Sequence, residues 1–284
     1  MDYLSEYKRT LKLPEAEEFF DLILYRPLAY LFVRLIARTS ITPNQVTIGS
    51  MLLGIVAAYF YSKGVGDFFP LAGMIYAGAN ILDCADGQLA RLQNSGTLFG
   101  RVIDGVADYV SSVAIFLGIG IGLSGQIDHA WIFVVVAGIS SAVHAMFFDH
   151  YQGEFISTVR SEPNFLEREM SQFSAELRRL RLDGGNPGKI VILRLYLWYL
   201  NLQKNSGTKQ DGSTIDPQLY REENSRMIRL WSFLGPTTNR TALILCSFIG
   251  RVDIYLDAVI LAGNLWLICC FILQRRIHQR LAGR

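Results

Sequence analysis

Asp83-Cys84-Ala85-Asp86-Gly87-Gln88-Leu89-Ala90-Arg91, followed after a turn by Gly100-Arg101-Val102-Ile103-Asp104-Gly105-Val106-Ala107-Asp108, decides how this chain is read. Four aspartates stand here between two of its most apolar segments. Asp83 and Asp86 are spaced i, i+3, and Asp104 and Asp108 i, i+4, so each pair shares one face of a helix. Asn94-Ser95-Gly96 supplies turn chemistry between the two helices. Folded as an antiparallel hairpin about that turn, both pairs reach a similar depth, roughly 12–20 Å from it at 1.5 Å rise per residue. Four converging carboxylates in an apolar setting repel one another and are costly to bury. Divalent cations remove that cost, so the spacing predicts a two-metal site.

The pattern Asp83-x2-Asp86-Gly87-x2-Ala90-Arg91-x8-Gly100-x3-Asp104-x3-Asp108 resembles the signature of the CDP-alcohol phosphotransferase (CDP-alcohol phosphatidyltransferase) family at every fixed position. The resemblance implies a divalent-metal-dependent membrane enzyme that moves a substituted phosphate from a CDP-linked donor to an alcohol and releases CMP. It also implies a homodimer. It covers the hairpin and the general hydropathy pattern, and does not reach the segment from about Tyr151 to Arg229.

The rest of the chain fits a membrane setting. With 284 residues and 51% hydrophobic content, it is too apolar for an ordinary soluble protein. A net charge of +2 gives no nucleic-acid footprint. Charges scattered through Met1–Ile23 argue against a cleavable signal peptide. The four cysteines, Cys84, Cys246, Cys269 and Cys270, sit in apolar segments without metal spacing and read as inert buried thiols.

An all-α integral membrane bundle of six transmembrane helices follows, with an N-terminal amphipathic juxtamembrane helix. The organisation is a cytoplasmic N-terminus and surface helix (1–42), four spans with the aspartate hairpin (43–150), a cytoplasmic insertion (151–229), and two final spans with a basic tail (230–284). The surface helix, about Pro14 to Arg38, carries Arg26, Arg34 and Arg38 for lipid headgroups. Spans are expected near Pro43–Tyr61, Phe69–Gln93, Leu98–Leu123, Trp131–Phe148, Met227–Gly250 and Ile254–Leu273. With the N-terminus in the cytoplasm, only Lys63 and Arg251 of the 27 Lys and Arg lie outside, which puts the aspartates on the cytoplasmic side, expected to be that of a cell inner membrane. In the insertion, Asp183–Gly188 reads as a turn, Asn205–Asp216 as a loop, and Phe165–Leu182 and Ile190–Leu202 as helices.

Asp83, Asp86 and Asp104 are the expected ligands of two divalent cations, Mg²⁺ or Mn²⁺, with Asp108 facing the same ions. The resemblance makes Asp108 the base for the acceptor hydroxyl; spacing alone does not separate base from ligand. It also places Asn44 and Thr47 near the nucleotide. Gly87, Ala90 and Gly100 give either close helix packing or backbone access for the cytidine and its phosphates. Arg91 binds the diphosphate or simply ends its helix with a cation. In relatives with phosphorylated acceptors a Lys or Arg follows the last aspartate; here it is Tyr109. Arg101 and Arg240 remain as partners for an acceptor phosphate, against a plain snorkelling role. The histidines form no catalytic set, and Gly118, Gly120 and Gly122 read as tight helix packing, with a dimer interface as one place for it, rather than as a nucleotide motif.

The leading reading is transfer of phosphatidyl from CDP-diacylglycerol to a small polar alcohol, in phospholipid biosynthesis. The alternative is transfer from a CDP-linked polar alcohol to diacylglycerol or a soluble acceptor. A remote third is a membrane cation transporter, against which the acids cluster at one depth and no internal repeat is evident.

Overall fold

In a computed structural model the described residues are 6–7, 9–11, 13–64, 68–162, 165–182, 187–206 and 216–282. They form helices and turns, with no strand among them. The chain runs through a π-helical turn (Asp21–Tyr25), α1 (Arg26–Ile36), α2 (Pro43–Tyr61), α3 (Phe68–Leu92), α4 (Leu98–Leu123) and α5 (Ala130–Val159). Then follow α6 (Phe165–Leu182), α7 (Pro187–Ser206), α8 (Pro217–Trp231), α9 (Pro236–Phe248), α10 (Val252–Asp257) and α11 (Asn264–Ala282). A π-helical stretch, Ala258–Gly263, joins α10 to α11 without a break.

Among the described residues, four helical stretches are long and apolar enough to cross a membrane: Phe68–Leu92, Leu98–Leu123, Ala130–Val159 and Val252–Leu281. They mark an integral membrane protein. The outer face of α4 fits lipid: Val106, Val110, Val113, Leu117 and Ile121 recur at helical spacing and are all exposed.

The core lies where α2, α3, α4, α5, α9 and α10 meet, around Tyr61, Tyr76, Ile115, Ile119, Leu243 and Tyr255. α2 is the central strut. A capping box starts it, with Thr42 N–H donating to Gln45 Oε1 at 2.9 Å and Gln45 N–H returning to Thr42 Oγ1 at 3.4 Å; Pro43 opens the first turn. Small residues let neighbours close on it. Ser50 donates to the carbonyl of Ala79 at 2.9 Å, and a Cβ on Gly54 would fall 2.8 Å from Ser111 Oγ. Both aspartate helices, α3 and α4, therefore pack chiefly on α2 and hardly at all on each other. The hairpin expected from the spacing exists, with Asn94 turning the chain at φ 49° and Thr97 capping α4, but its arms stand apart. Side chains, not backbones, bridge them.

Several boundaries differ from the sequence reading. The fifth helix begins at Pro236, not Met227, because Gly235 is extended (ψ 157°) and breaks it from α8. α5 runs on to Val159, through Asp149-His150, since Tyr151 and Phe155 continue its apolar packing against Trp231 and Tyr220. The last helix extends to Ala282. Phe165–Leu182 forms as expected, while the turn residues 183–186 and the loop residues 207–215 lie outside the described set.

Of the expected Pro14–Arg38 helix, the π-helical turn and α1 cover Asp21–Ile36; this segment is amphipathic, with Leu24, Leu28, Leu31 and Leu35 exposed and Tyr25, Ala29, Val33 and Ile36 buried on α3. Arg26, however, does not reach toward headgroups. It is buried and paired with Glu17 at 2.9 Å, because this segment folds back onto the bundle.

Candidate active site

Four helices converge on the aspartates. α3 brings Asp83 and Asp86, α4 brings Asp104 and Asp108, α2 brings Asn44 and Thr47, and α9 brings Arg240. One carboxylate oxygen from each of Asp83, Asp86 and Asp104 lies within 4.8 Å of the others. Asp86 is the buried member, and it accepts a hydrogen bond from the Thr47 hydroxyl.

Asp108 is held differently. Its Oδ1 accepts from Arg240 Nη2 at 2.6 Å, while Arg240 Nη1 donates to Asp83 Oδ2 at 2.7 Å and Asn80 Oδ1 at 2.9 Å. The guanidinium thus spans the gap between α3 and α4. Four carboxylates against one guanidinium still leave a formal excess of three negative charges in an apolar bundle. Hard oxygen donors and uncompensated charge are what a divalent cation fits.

The other expected residues gather on the same end. Asn44 Oδ1 lies against Gly100, where a Cβ would come within 3.2 Å of it. The Arg91 guanidinium lies over Gly87, where a Cβ would meet Nη2 at 3.4 Å, and Ala90 is on the following turn. Arg91 Nε donates to the carbonyl of Thr10 at 2.5 Å, and its Nη2 is buried without a hydrogen-bond partner among the described residues. Arg101 turns away from the gap and pairs with buried Glu169 of α6, with its guanidinium 5.7 Å over Phe173. Tyr109 meets Tyr199 of α7 edge-on at 6.0 Å, so the insertion packs beside the Asp108 helix.

The sequence reading missed Asn80 and the N-terminal segment. Asn80 had a signal, since it lies three residues before Asp83 on one helix face. The segment had none. Glu18 accepts from the N–H groups of Thr237 and Thr238 at 3.1 and 2.8 Å and caps α9. Gln88 donates to the carbonyl of Arg26 at 3.2 Å, and Cys84 to Asp21 at 3.4 Å. These contacts fix the ends of α3 and α9 from which Arg91 and Arg240 project. The four cysteines are free.

Residues 40–159 match the family model described as CDP-alcohol phosphatidyltransferase. Among similar proteins is an archaetidylinositol phosphate synthase of Pyrococcus horikoshii, 39% identical over 88 residues, covering 31% of this chain and 45% of that protein. A bifunctional IPC transferase and DIPP synthase of Thermococcus kodakarensis is 32% identical over 161 residues, covering 56% of this chain and 33% of the relative. A phosphatidylinositol phosphate synthase of Mycobacteroides abscessus is 27% identical over 164 residues, covering 55% and 61%. The chain thus spans between a third and three fifths of the length of these relatives. The match includes all four aspartates and the helices that position them, so the chain carries, over residues 40–159, a domain of the CDP-alcohol phosphatidyltransferase family.

Proposed function

We propose that this protein transfers a phosphatidyl group from CDP-diacylglycerol to a small polar alcohol, with release of CMP. The observation that carries the reading is the meeting of Asp83, Asp86 and Asp104 within 4.8 Å on helices that bear the family's spacing. These three side chains would hold the divalent cations, Mg²⁺ or Mn²⁺, with Asp108 completing a two-ion set. Bound metal supplies charge neutralisation at the donor's diphosphate and at the leaving CMP oxygen.

The remaining steps belong to the chain. Asp108 takes the proton of the acceptor hydroxyl as that oxygen bonds to the donor's phosphorus and the P–O bond to CMP breaks. Arg240 sets where Asp108 stands, and its cation beside the base is the natural partner of an anionic acceptor. The buried Arg91 Nη2 is a donor for the diphosphate, and the bare backbone at Gly87 and Gly100, with Ala90, Asn44 and Thr47 alongside, takes the cytidine end. Arg101, committed to Glu169, acts on an acceptor only if that pair opens.

The names of the relatives favour a second reading of the acceptor, an inositol phosphate. Against it, Tyr109 stands where relatives with phosphorylated acceptors carry a cation. The reverse arrangement, a CDP-linked polar alcohol donating to diacylglycerol, uses the same metal and nucleotide contacts. In the membrane, α2 and the short α9 join the four long stretches as six crossings. The site faces the cytoplasm, at a cell inner membrane, and the chain is a homodimer.

The test is CMP release from purified protein in lipid with Mg²⁺ or Mn²⁺ and CDP-diacylglycerol. Acceptors are supplied singly: serine, glycerol, inositol, glycerol phosphate and inositol phosphate, with Asp108→Asn as the blank. Acceptor-dependent CMP above the blank names the alcohol. Its absence with all five refutes the donor assignment and moves the test to CDP-linked polar alcohols with diacylglycerol.

A further inference from the structure

A second cluster of polar side chains is brought together by α5, α8 and α11, none of which carries a residue of the aspartate site. His150 and Glu154 lie one turn apart on α5, Nε2 to Oε2 3.8 Å, each side chain nine-tenths buried. His278 sits on helix α11, not in a loose tail, and brings its Nε2 to 3.6 Å from the other carboxylate oxygen. The Tyr220 hydroxyl donates to Glu154 Oε1 at 2.9 Å and fixes the carboxylate.

Both ring nitrogens of His150 are buried, and neither has a hydrogen-bond partner among the described residues. Such atoms are rare in folded proteins and call for a water or an ion. The tautomer of His278 follows from its neighbours. Trp231 Nε1 can only donate, and it does so to Gln274 Oε1 at 3.0 Å. The Gln274 amide nitrogen therefore faces His278 Nε2, at 3.0 Å, and that ring nitrogen carries a lone pair, not a proton. The two imidazoles flank the Glu154 carboxylate, one at each oxygen, at 3.8 and 3.6 Å.

We propose that His150, Glu154 and His278 form a second metal site that takes one late first-row divalent ion of the Zn²⁺ type. Imidazole nitrogens with a carboxylate suit such an ion, whereas the three aspartates offer only hard oxygens suited to Mg²⁺. Tyr220 orients the carboxylate from behind, as outer partners of metal ligands do. The donors stand further apart than the aspartates, so binding closes them. It exchanges the Gln274 hydrogen bond of His278 for a metal bond, gives His150 its partner, and ties the end of α11 to α5. The inference is independent of the transferase reading.

The experiment titrates Co²⁺ into the full chain in detergent, with excess Mg²⁺ present to occupy the aspartates. Intense visible d–d absorption reports a low-coordinate site with nitrogen donors, while ions on carboxylates and water absorb weakly. Wild type and Asp83→Asn should both bind about one equivalent with the intense band. His150→Ala and His278→Ala should weaken that binding by at least about tenfold. The His278 side chain is more exposed than that of His150, so its variant keeps the test open where His150→Ala fails to fold. No Mg²⁺-resistant band in wild type, or an unchanged band in His278→Ala, overturns the proposal.

Discussion

Arg240 joins two acceptors on α3, Asn80 and Asp83, to one on α4, Asp108. Replacing Asp83, Asp86 or Asp104 by Asn removes a ligand charge and should abolish metal-dependent CMP release; wild-type turnover in any one variant removes that residue from the ligand set. Arg240→Ala should raise the acceptor's apparent KM more than the donor's, read from initial rates with each substrate varied in turn. Its stability cost should stay below the about 3–5 kcal/mol seen when one partner of a fully buried pair is removed, because Asp108 is 38% exposed. The aspartates were legible in the sequence because their spacing is local to two helices. The partner of Asp108 was not, since Arg240 lies 132 residues further along.

At the level of elements, glycines decide how closely helices approach. A Cβ on Gly118 would fall 2.2 Å from the carbonyl oxygen of Ala58, and one on Gly122 equally close to that of Tyr61, so both faces are filled by α2 and the turn after it. The tight packing expected of these glycines is found at both positions, and within the chain. Gly235 is a different case: a Cβ there would lie 2.2 Å from the Glu18 carboxyl carbon that caps α9. Gly235→Ala should displace Glu18, loosen α9 and lower the Tm by several degrees, whereas Gly96→Ala, which meets nothing within 4 Å, should leave it unchanged. Loss of the Glu18 cap removes acceptors from two helix N–H groups and is worth about 1 kcal/mol or more.

For the whole molecule, the buried N-terminal acids couple stability to pH. Burial, with Asp21 beside it, pushes the Glu18 carboxyl up to about 8 despite its hydrogen bonds to Thr237 and Thr238. The folded state therefore holds the proton more tightly than the unfolded chain. The stabilisation is complete below the ordinary carboxyl range and is lost as pH rises through about 8. Thermal unfolding followed between pH 5 and pH 9 should show the Tm falling toward pH 9, with a flatter dependence in Glu18→Gln; an equal slope in both refutes the assignment. The orientation is tested by single cysteines in a background lacking the native four. Lys63→Cys should react with impermeant reagent from outside intact cells, and Ser95→Cys only from the cytoplasm.

By itself the sequence determined the helical class, the apolar stretches and the four aspartates with their small neighbours, because each follows from a periodicity or spacing inside one or two helices. Only the tertiary structure decided that α3 and α4 stand apart on α2, that Arg240 holds Asp108 while Arg101 is drawn to Glu169, and that Glu18 caps a helix more than two hundred residues away. Gly235-Pro236 is local and was visible, yet its effect, a fifth helix beginning at Pro236, depended on which neighbour filled the space above the glycine. Local pattern fixes which face of a helix is apolar or charged. Which distant charge comes to meet it is set by packing, where burial makes an unpaired charge costly and so selects its partner.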